Sequence, residues 1–520
     1  MERTLLPTLR LSLEMTETLT EIERNGLKVN LTTLKEIETE FQAELEELEI
    51  RLNDMAREAM GDTPINLASP DDRSILLYSR KVVDKKEWSR VFNLGHEMRG
   101  ATMKPKQRVR MKKTVFASTV RRMTEVVRKT VGSRCAGCIG FGRVRPVNKN
   151  GEPSKALRIC KPCNGAGVIY TPTSEVAGFK VVPRDPYDTA SAGFKTDKTT
   201  LEDRAIELSG DAKEFATAYI RYNALRTYLN TFVEGMKNNV DENGIIHPEF
   251  MQCVTATGRL SSRNPNFQNM PRGNTFAIRK VVESRFPGGF ILEGDYSQLE
   301  FRVAGFLAKD SQAYVDVSEG TDVHQYTANI IGCSRQEAKA HTFKPLYGGT
   351  TGTTAQQRYY RAFKEKYEGV TLWHDKLQRE AVKTKLITLP SGRQYAFPSA
   401  RWTEWGTATN RTAICNYPVQ GFATADLLPT ALVRLSKMMR TRELKSVICN
   451  TVHDSIVLDV HPDEKDACIK LLEYAMLSLP TESVNRYGVE YDMPVEIELK
   501  IGKNWLDTEV VNLYHSTTLK

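Results

Sequence analysis

Residues 290–307 read FILEGDYSQLEFRVAGFL, and this stretch decides the fold class. Its first part is an apolar run that predicts a buried strand ending near Asp295. Its second part has apolar residues at helical spacing, namely Leu299, Val303, Phe306 and Leu307. The Asp295 carboxylate is therefore expected at a junction between a strand and a helix, in a chain of mixed α+β type.

Two further strands are predicted by SVICNTVHDSIVLDV, residues 446–460, where two apolar runs meet at His453 and Asp454. If these strands pair with the first, Asp295 and Asp454 lie at one edge of a sheet. Carboxylates on rigid backbone can hold two divalent cations about 4 Å apart, as phosphoryl transfer requires. Taken alone, an aspartate that ends a strand is usually a turn residue or a helix cap.

A helix face is predicted by SRQEAKAHTFKPLYGG, residues 334–349. Two cations and two aromatics recur there every four positions, namely Arg335, Lys339, Phe343 and Tyr347. Cations suit a triphosphate and aromatics suit a base, although a basic surface beside a core stripe is the alternative. Pro345 lacks the amide that would bond to the His341 carbonyl, so the helix should kink or end there.

Two long amphipathic helices are predicted, at residues 30–60 and at about 211–237, and they can pack as an antiparallel pair. Thr33 and Glu36 are expected to form the capping box of the first. The text between them, at about 81–195, is first basic, then rich in cysteine and glycine, then loop-like. This change of character predicts an insertion on a helical stem.

The charge is unevenly distributed over the 520 residues, whose net charge is +9. From Arg99 to Arg134 there are twelve Lys or Arg against Glu125 alone, which makes that segment +11. We interpret it as a phosphate-binding strip, with a solvated face as the alternative. The absence of an apolar run of roughly 20 residues argues against a membrane span. With no secretory pattern at the start, we expect a soluble, cytoplasmic protein.

Four of the nine cysteines form two CxxC pairs. Cys135 and Cys138 lie in CAGCIGFG, and Cys160 and Cys163 in CKPCNGAG, a pattern similar to the repeats of DnaJ-type chaperones. The spacing predicts one structural zinc ion held by four thiolates, and a closed site of this kind is not catalytic. Unligated thiols or a redox pair are the alternatives. The other five cysteines are interpreted as buried thiols.

Several motifs together resemble the polymerase portion of bacterial DNA polymerase I and its phage relatives, which form family A. The matching text comprises IERNGLKV, TATGRLSSRNPNFQNMPR at 255–272, GDYSQLEFR at 294–302, DVHQYTA at 322–328, RQEAKAHTFKPLYGG, NYPVQGFATAD at 416–426, VHDS at 452–455 and IGKNW. Many long motifs in family order are far more specific than any one of them. The resemblance implies a right-hand fold, with an antiparallel palm sheet and helical fingers and thumb.

On that resemblance, residues 1–80 hold the N-terminal segment and first thumb helix, 81–195 the zinc-binding insertion, and 196–245 the second thumb helix. Residues 246–309 and 401–520 form the palm, and 310–400 the fingers. The implied activity is DNA-directed extension of a primer 3′ end with dNTPs, using two Mg²⁺ ions. The expected partners are primer-template DNA and the nucleotides. We expect the protein to be a phage-type replication enzyme.

The resemblance also implies roles for individual residues. Metal binding falls to Asp295, Asp454 and the backbone carbonyl of Tyr296. Catalysis and nucleotide binding would involve Lys339, Arg335, His324, Phe343, Tyr347, Gln298 and Glu300, the last excluding a ribose 2′-hydroxyl. Contacts to DNA are expected from Arg259, Asn266, Gln268, Asn416, Gln420 and His453, for which caps and structural hydrogen bonds are the alternative.

Three departures from the family pattern stand out. Ser455 replaces the usual glutamate after the His-Asp pair, Pro345 interrupts the helix of Lys339, and Arg411 lies five residues before Asn416 instead of four, so it is given no role. No text resembles a 3′–5′ exonuclease, so we expect proofreading from a separate polypeptide, or a replisome partner. A single-subunit RNA polymerase, which Glu300 argues against, and a catalytically inactive nucleic-acid-binding protein are the competing interpretations.

Overall fold

The computed structural model describes residues 6–99, 102–146, 154–349, 352 and 354–515. Its helices are α1 Pro7–Asn25, α2 Leu31–Met60, α3 Pro70–Tyr78, α4 Lys85–Val91, α5 Lys113–Met123, α6 Lys198–Ala205, α7 Gly210–Tyr228, α8 Glu234–Asn239, α9 Leu299–Ala308, α10 Ser311–Ser318, α11 Val323–Ile331, α12 Arg335–Thr342, α13 Thr354–Lys366, α14 Glu368–Thr384, α15 Arg411–Gln420, α16 Leu428–Thr441, α17 Lys465–Leu477 and α18 Leu479–Tyr487. Among the described residues, no helix combines the length and apolar character needed to cross a membrane.

The strands are mostly short. They are β1 Leu27–Lys28, β2 Arg80–Val82, β3 His96–Arg99, β4 Thr102–Pro105, β5 Thr124–Val126, β6 Arg128–Arg134, β7 Arg143–Val144, β8 Arg158–Ile159, β9 Val168–Val176, β10 Thr189–Ala190, β11 Gly193–Phe194, β12 Ile245–Ile246, β13 Glu249–Met251, β14 Ser261–Arg263, β15 Phe290–Tyr296, β16 Leu386–Thr388, β17 Gln394–Ala396, β18 Val447–Val452, β19 Ser455–Val460, β20 Glu496–Gly502 and β21 Thr508–His515. Two compact units divide the chain, Met1–Glu38 with Asn230–Lys520 and Thr39–Leu229.

The larger unit is built on a five-stranded antiparallel sheet in the order β18-β19-β15-β20-β21. The predicted strand ending near Asp295 is the central strand, β15. Helix α17 packs closely against it at Gly294, where an added Cβ would lie 2.7 Å from Met476 Sδ. A glycine is therefore needed for this approach of helix to strand, and the packing fixes the end of β15 that carries Asp295.

The predicted antiparallel helix pair is present within the smaller unit. Helices α2 and α7 are joined by the Arg221–Glu44 ion pair at 2.7 Å and by an edge-to-face contact of Phe41 with Tyr228, whose ring centroids are 5.3 Å apart. The predicted second helix is confirmed, because α7, a π-helical turn at Leu229–Val233 and α8 follow one another without a break.

One detail of the prediction was wrong, namely the capping box of Thr33 and Glu36. The cap is Asn30, whose side-chain oxygen accepts the amides of Thr32 and Thr33 at 3.0 Å. An asparagine at this position satisfies two of the unpaired amides at the start of the helix. The predicted long helix at residues 30–60 is itself confirmed.

The segment between α2 and α7 packs on this helical stem. Trp88 stacks edge-on against Phe92 and Phe194, with centroids 4.5 and 5.5 Å apart, and all three rings are buried. They belong to the same hydrophobic cluster as Leu52 of α2 and Phe215 of α7. The strands β6 and β9 then form a two-stranded ribbon that carries the cysteine pairs at its end.

Candidate active site and cysteine cluster

Two aspartates meet at one edge of the central sheet. Asp295 lies in β15 opposite Ser455 of β19, and Asp454 lies in the tight turn between β18 and β19. The amide N–H of Tyr296 donates to the carbonyl oxygen of Asp454 at 3.2 Å. The structure therefore brings together the two carboxylates that were predicted at strand ends.

The environment of this pair suits a cation. Burial, followed by the negative charge of Asp454, raises the pKa of Asp295 to about 7, and burial also raises the pKa of Asp454. Asp295 Oδ1 is buried and accepts no hydrogen bond from any described residue. A buried carboxylate oxygen without a partner is costly, and a hard divalent cation is a ligand that it would satisfy. The donor set fits Mg²⁺.

Arg272 is a site residue that the sequence motifs alone did not single out. Its Nη1 lies 3.1 Å from Asp295 Oδ2. Burial disfavours the charged guanidinium, but the carboxylates of Asp295, Glu293 and Asp454 outweigh burial and raise the pKa of Arg272. The residue ends the motif TATGRLSSRNPNFQNMPR, in which other residues are predicted to contact DNA. The motif therefore included Arg272, but the sequence did not show its contact with Asp295.

Glu300 and Arg259, predicted for different roles, form an ion pair. Glu300 lies in the first turn of α9, and burial raises the pKa of its carboxyl in spite of the Arg259 charge. Arg259 Nε also donates to Thr424 Oγ1 at 3.4 Å. Gln298 immediately precedes α9 in a left-handed conformation, with φ of 52°. Both Gln298 and Glu300 are thus close in sequence to Asp295, at the start of the helix that follows it.

The residues expected to contact DNA are held in part by the protein itself. Gln268 is buried, and its Nε2 donates to the carbonyl of Thr451. Asn266 Oδ1 accepts from Ser262 Oγ at 3.2 Å. His453 has a φ of 56°, and burial, followed by the charges of nearby arginines, lowers its pKa to about 4. The imidazole of His453 is therefore neutral at physiological pH.

A second group of predicted residues converges on helices α11 and α12. Arg335 Nε lies 2.6 Å from Asp322 Oδ2, and Asp322 also caps α11. His324 Nδ1 lies 3.0 Å from Thr342 Oγ1, and burial, then the charges of Arg335 and Lys339, lowers its pKa. Lys339 forms no hydrogen bond or ion pair with a described residue. It is therefore a cation available to a ligand.

The prediction that four residues share one helix face was wrong beyond Thr342. Helix α12 ends there, Phe343 follows as its cap, and Pro345–Tyr347 forms a separate 3-10 turn. The cause is the missing amide of Pro345. The ring of His324 nevertheless packs edge-on against Phe343 at 5.3 Å. Phe343 thus lies beside His324, although the helix does not extend to Tyr347.

The turn that carries Tyr347 is held by a histidine of helix α14. His374 of α14 is buried, and its Nε2 lies 2.9 Å from the carbonyl oxygen of Leu346. Because a carbonyl can only accept, Nε2 carries the proton. Arg411 starts α15 nearby: an added Cβ at Gly348 would lie 3.7 Å from its Nε. Arg411 was given no role from its spacing, yet it lies beside the turn of Tyr347.

Asn416 and Gln420 both lie in α15, one turn apart. Asn416 Oδ1 is buried without a hydrogen bond from a described residue. Gln420 ends the helix before a π-helical segment, Gly421–Leu427. Their roles in DNA contact stay predictions.

The four predicted zinc ligands converge at the end of the β6–β9 ribbon. Their sulfur atoms all lie within 4.8 Å of one another. Cys135 Sγ is 3.8 Å from Cys160 Sγ, and Cys138 Sγ is 3.6 Å from Cys163 Sγ. A tetrahedral zinc ion with bonds of about 2.3 Å requires sulfur separations of about 3.8 Å. The cluster therefore fits one zinc ion.

Backbone amides of glycine residues support the sulfurs. The Gly142 N–H donates to Cys138 Sγ at 3.2 Å, and the Gly167 N–H donates to Cys163 Sγ at 3.3 Å. An added Cβ at Gly142 would lie 2.2 Å from the Gly165 oxygen. Each knuckle therefore depends on glycine to aim an amide at a thiolate.

The basic segment is divided among several elements. Its described cations lie in the loop after β4, in α5 and in β6, and burial lowers the pKa of Arg108. Residues 100 and 101 lie outside the described residues, and so do the side chains of Arg99 and Lys104. Phosphate binding by this segment stays a prediction.

Comparison with known proteins agrees with this geometry. The sequence model of DNA polymerase family A matches residues 179–507. DNA polymerase I of Lactococcus lactis strain IL1403 is 29% identical over 341 residues, which cover 61% of this chain and 37% of that protein. The thermostable DNA polymerase I of Thermus filiformis is 30% identical over 338 residues, covering 61% and 39%. The chain thus spans well under half the length of these curated relatives.

A solved structure is similar over nearly the whole chain. It is the POL domain of Pol1 from M. smegmatis, in complex with DNA primer-template and dNTP. The TM-score is 0.64, the sequence identity is 20%, and the match covers 95% of this chain and 70% of that one. This likeness supports a right-hand fold of palm, fingers and thumb.

Proposed function

The chain belongs to DNA polymerase family A, and from that membership we propose that it extends a primer 3′ end with dNTPs on a DNA template. The observation that carries the proposal is the partnerless, buried Asp295 Oδ1 beside Asp454 at the sheet edge. Asp295, Asp454 and the carbonyl of Tyr296 would hold the divalent cations. When bound, such ions activate a 3′-hydroxyl and stabilise a leaving pyrophosphate.

The cationic group on α11 and α12 would bind the triphosphate. The Lys339 ammonium is available because no described residue neutralises it. Arg335, which pairs with Asp322, would bind phosphate in place of that carboxylate or together with it. His324 is held by Thr342, so its ring keeps one orientation. Positive groups fixed before the substrate arrives stabilise developing phosphate charge without a cost of reorganisation.

Glu300 would exclude a ribose. Its carboxylate is tethered by Arg259 and lies at the start of the helix that follows Asp295. A tethered side chain cannot swing away from a 2′-hydroxyl. We propose that Phe343, Tyr347 and Gln298 border the base and sugar, and that Arg259, Asn266, Gln268, Asn416, Gln420 and His453 line the DNA.

The division of labour along the chain follows from the same proposal. The five-stranded sheet would be the palm, the helices α10–α14 the fingers, and the helix pair α2 and α7 the thumb. The insertion would carry one structural zinc ion. The setting would be a phage replisome.

The test is primer extension with dNTPs and, separately, with NTPs. We expect extension with dNTPs that falls below detection in Asp295→Ala and Asp454→Ala, while primer-template affinity stays within about threefold, because each variant removes a metal ligand and leaves the duplex-binding residues in place. Asp463→Ala is the matched control, because that aspartate is 84% exposed.

The competing functions predict different outcomes of this test. A single-subunit RNA polymerase would prefer NTPs, and an inactive binding protein would show no extension in the wild type. Near wild-type extension by either aspartate variant would disprove the site assignment.

A further inference from the structure

The end of the zinc-binding ribbon exposes large apolar side chains. We use the term knuckle tip for Ile139, Phe141, Leu157 and Ile159, whose exposed fractions are 62%, 80%, 53% and 60%. Phe141 is the most exposed of them. Burying these side chains elsewhere in the unit would have been favourable, so their exposure points to a ligand.

The two knuckles differ at the two positions where the first knuckle exposes apolar side chains. Both have the form CxxCxGxG, so Ile139 corresponds to Asn164 and Phe141 to Ala166. Ile139 and Asn164 both adopt a left-handed backbone, with φ of 52° and 47°. Asparagine tolerates this conformation, whereas a β-branched residue is strained in it. The second knuckle shows what folding alone requires, and the first departs from it with two exposed apolar residues.

Cations flank the tip residues in the sequence. Five exposed side chains of this region form no ion pair with a described residue, namely Arg143, Arg145, Lys155, Arg158 and Lys161. Arg143 and Ile159 are opposite each other in the β7–β8 pair, so a guanidinium stands beside an apolar tip residue. No acidic residue occurs between Cys135 and Val168 except Glu152, which lies outside the described residues.

We propose that the knuckle tip binds single-stranded DNA. An unpaired base would stack on Phe141, and the arginines around it would contact the phosphates of adjacent nucleotides. A projecting ring needs the open face of a base, which an unpaired strand offers and a stacked duplex does not. The cationic surroundings favour a polyanion over a neutral protein groove. The inference rests on the proposed function, since a primer-template carries such a strand.

The test replaces Phe141 by its counterpart from the second knuckle. In the full chain, Phe141→Ala should weaken the Kd for a labelled oligo-dT at least about fivefold, as expected when one stacked base is released. The Kd for a blunt duplex, the zinc content and single-nucleotide turnover should not change. Phe141→Trp should retain wild-type oligo-dT binding.

Two further measurements locate the binding surface. An oligonucleotide carrying 5-iododeoxyuridine should photocrosslink to the peptide that contains Phe141. Arg143→Ala with Arg145→Ala should make the dependence of log K on log salt shallower by about 0.7 for each phosphate that the variant no longer neutralises.

Unchanged oligo-dT affinity in Phe141→Ala with zinc bound would overturn the proposal, as would an effect seen only when a second protein is added. Lack of primer extension with intact, Phe141-dependent binding of oligo-dT would contradict the polymerase function alone.

Discussion

The ion pair of Glu300 with Arg259 bears on the proposed selectivity for deoxyribose. Arg259 tethers its carboxylate, so Glu300→Ala should open space near the sugar and raise the ratio of kcat/KM for NTPs over dNTPs at least about tenfold. Glu300→Gln keeps the size of the side chain and an acceptor for Arg259, so it should stay close to wild type. Steady-state incorporation of matched rNTP and dNTP pairs measures the ratio. An unchanged ratio in Glu300→Ala would mean that another residue excludes the ribose 2′-hydroxyl.

Residues at the ends of strands were predictable, whereas long-range pairs were not. Asp295 and Asp454 each end an apolar run, and strand pairing alone brings them together. Arg272 reaches Asp295 from a loop, and no local pattern encodes that approach. Glu300 and Arg259 were both named, but their contact depends on the packing of α9 against a distant segment.

At the scale of elements, His374 of α14 makes the turn of Tyr347 sensitive to acid. Burial lowers the pKa of His374 to about 4, below the ordinary 6.5, and the bond to Leu346 offsets this effect only in part. The unfolded chain therefore takes up the proton first, and the stabilisation, complete above pH 6.5, is lost as the pH falls toward 4.

Between pH 7 and pH 5 this linkage should cost about 2 kcal/mol of local stability. Hydrogen exchange of α14 amides should show the loss in the wild type but not in His374→Gln, which can still donate to Leu346 and does not titrate. Equal pH dependence in the two proteins would mean that other groups control this turn.

The cysteine knuckles should depend on metal for their fold. Cys135→Ser with Cys160→Ser should lose zinc and become sensitive to proteolysis between β6 and β9, because the segments are too short to fold without ligation. Single-nucleotide turnover should stay within about twofold, since the closed site takes no part in chemistry. The paired substitution Cys253→Ser with Cys333→Ser is the control, as both thiols lie outside the cluster.

Helix limits illustrate where periodicity fails. The four-residue spacing from Arg335 to Tyr347 runs past the end of α12, and the expected break at Pro345, which lacks an amide, is confirmed. The period of apolar residues predicted α2 and the second long helix, but it did not show the π-helical turn inside the latter.

For the whole molecule, the ribbon end should be removable. Arg134 and Val168 are paired across β6 and β9, so residues 135–167 can be replaced by Asn-Gly, which suits a two-residue hairpin turn. The shortened chain should keep its thermal unfolding midpoint within about 3 °C and its single-nucleotide turnover on a primer-template with a one-nucleotide template overhang. Loss of all activity would show that the ribbon end is needed for the fold.

The position of β15 at the centre of the sheet bears on how the chain matures. Both neighbours of β15, the strands Ser455–Val460 and Glu496–Gly502, lie far downstream in the sequence. At translation rates of roughly 5–20 residues per second, the two edges of β15 would wait about 8 to 33 s and about 10 to 40 s for β19 and β20 to leave the ribosome. During that interval an apolar strand with open edges invites aggregation. Nascent chains should therefore recruit chaperones late in synthesis, and the carboxylates of Asp295 and Asp454 should be among the last groups to become ordered.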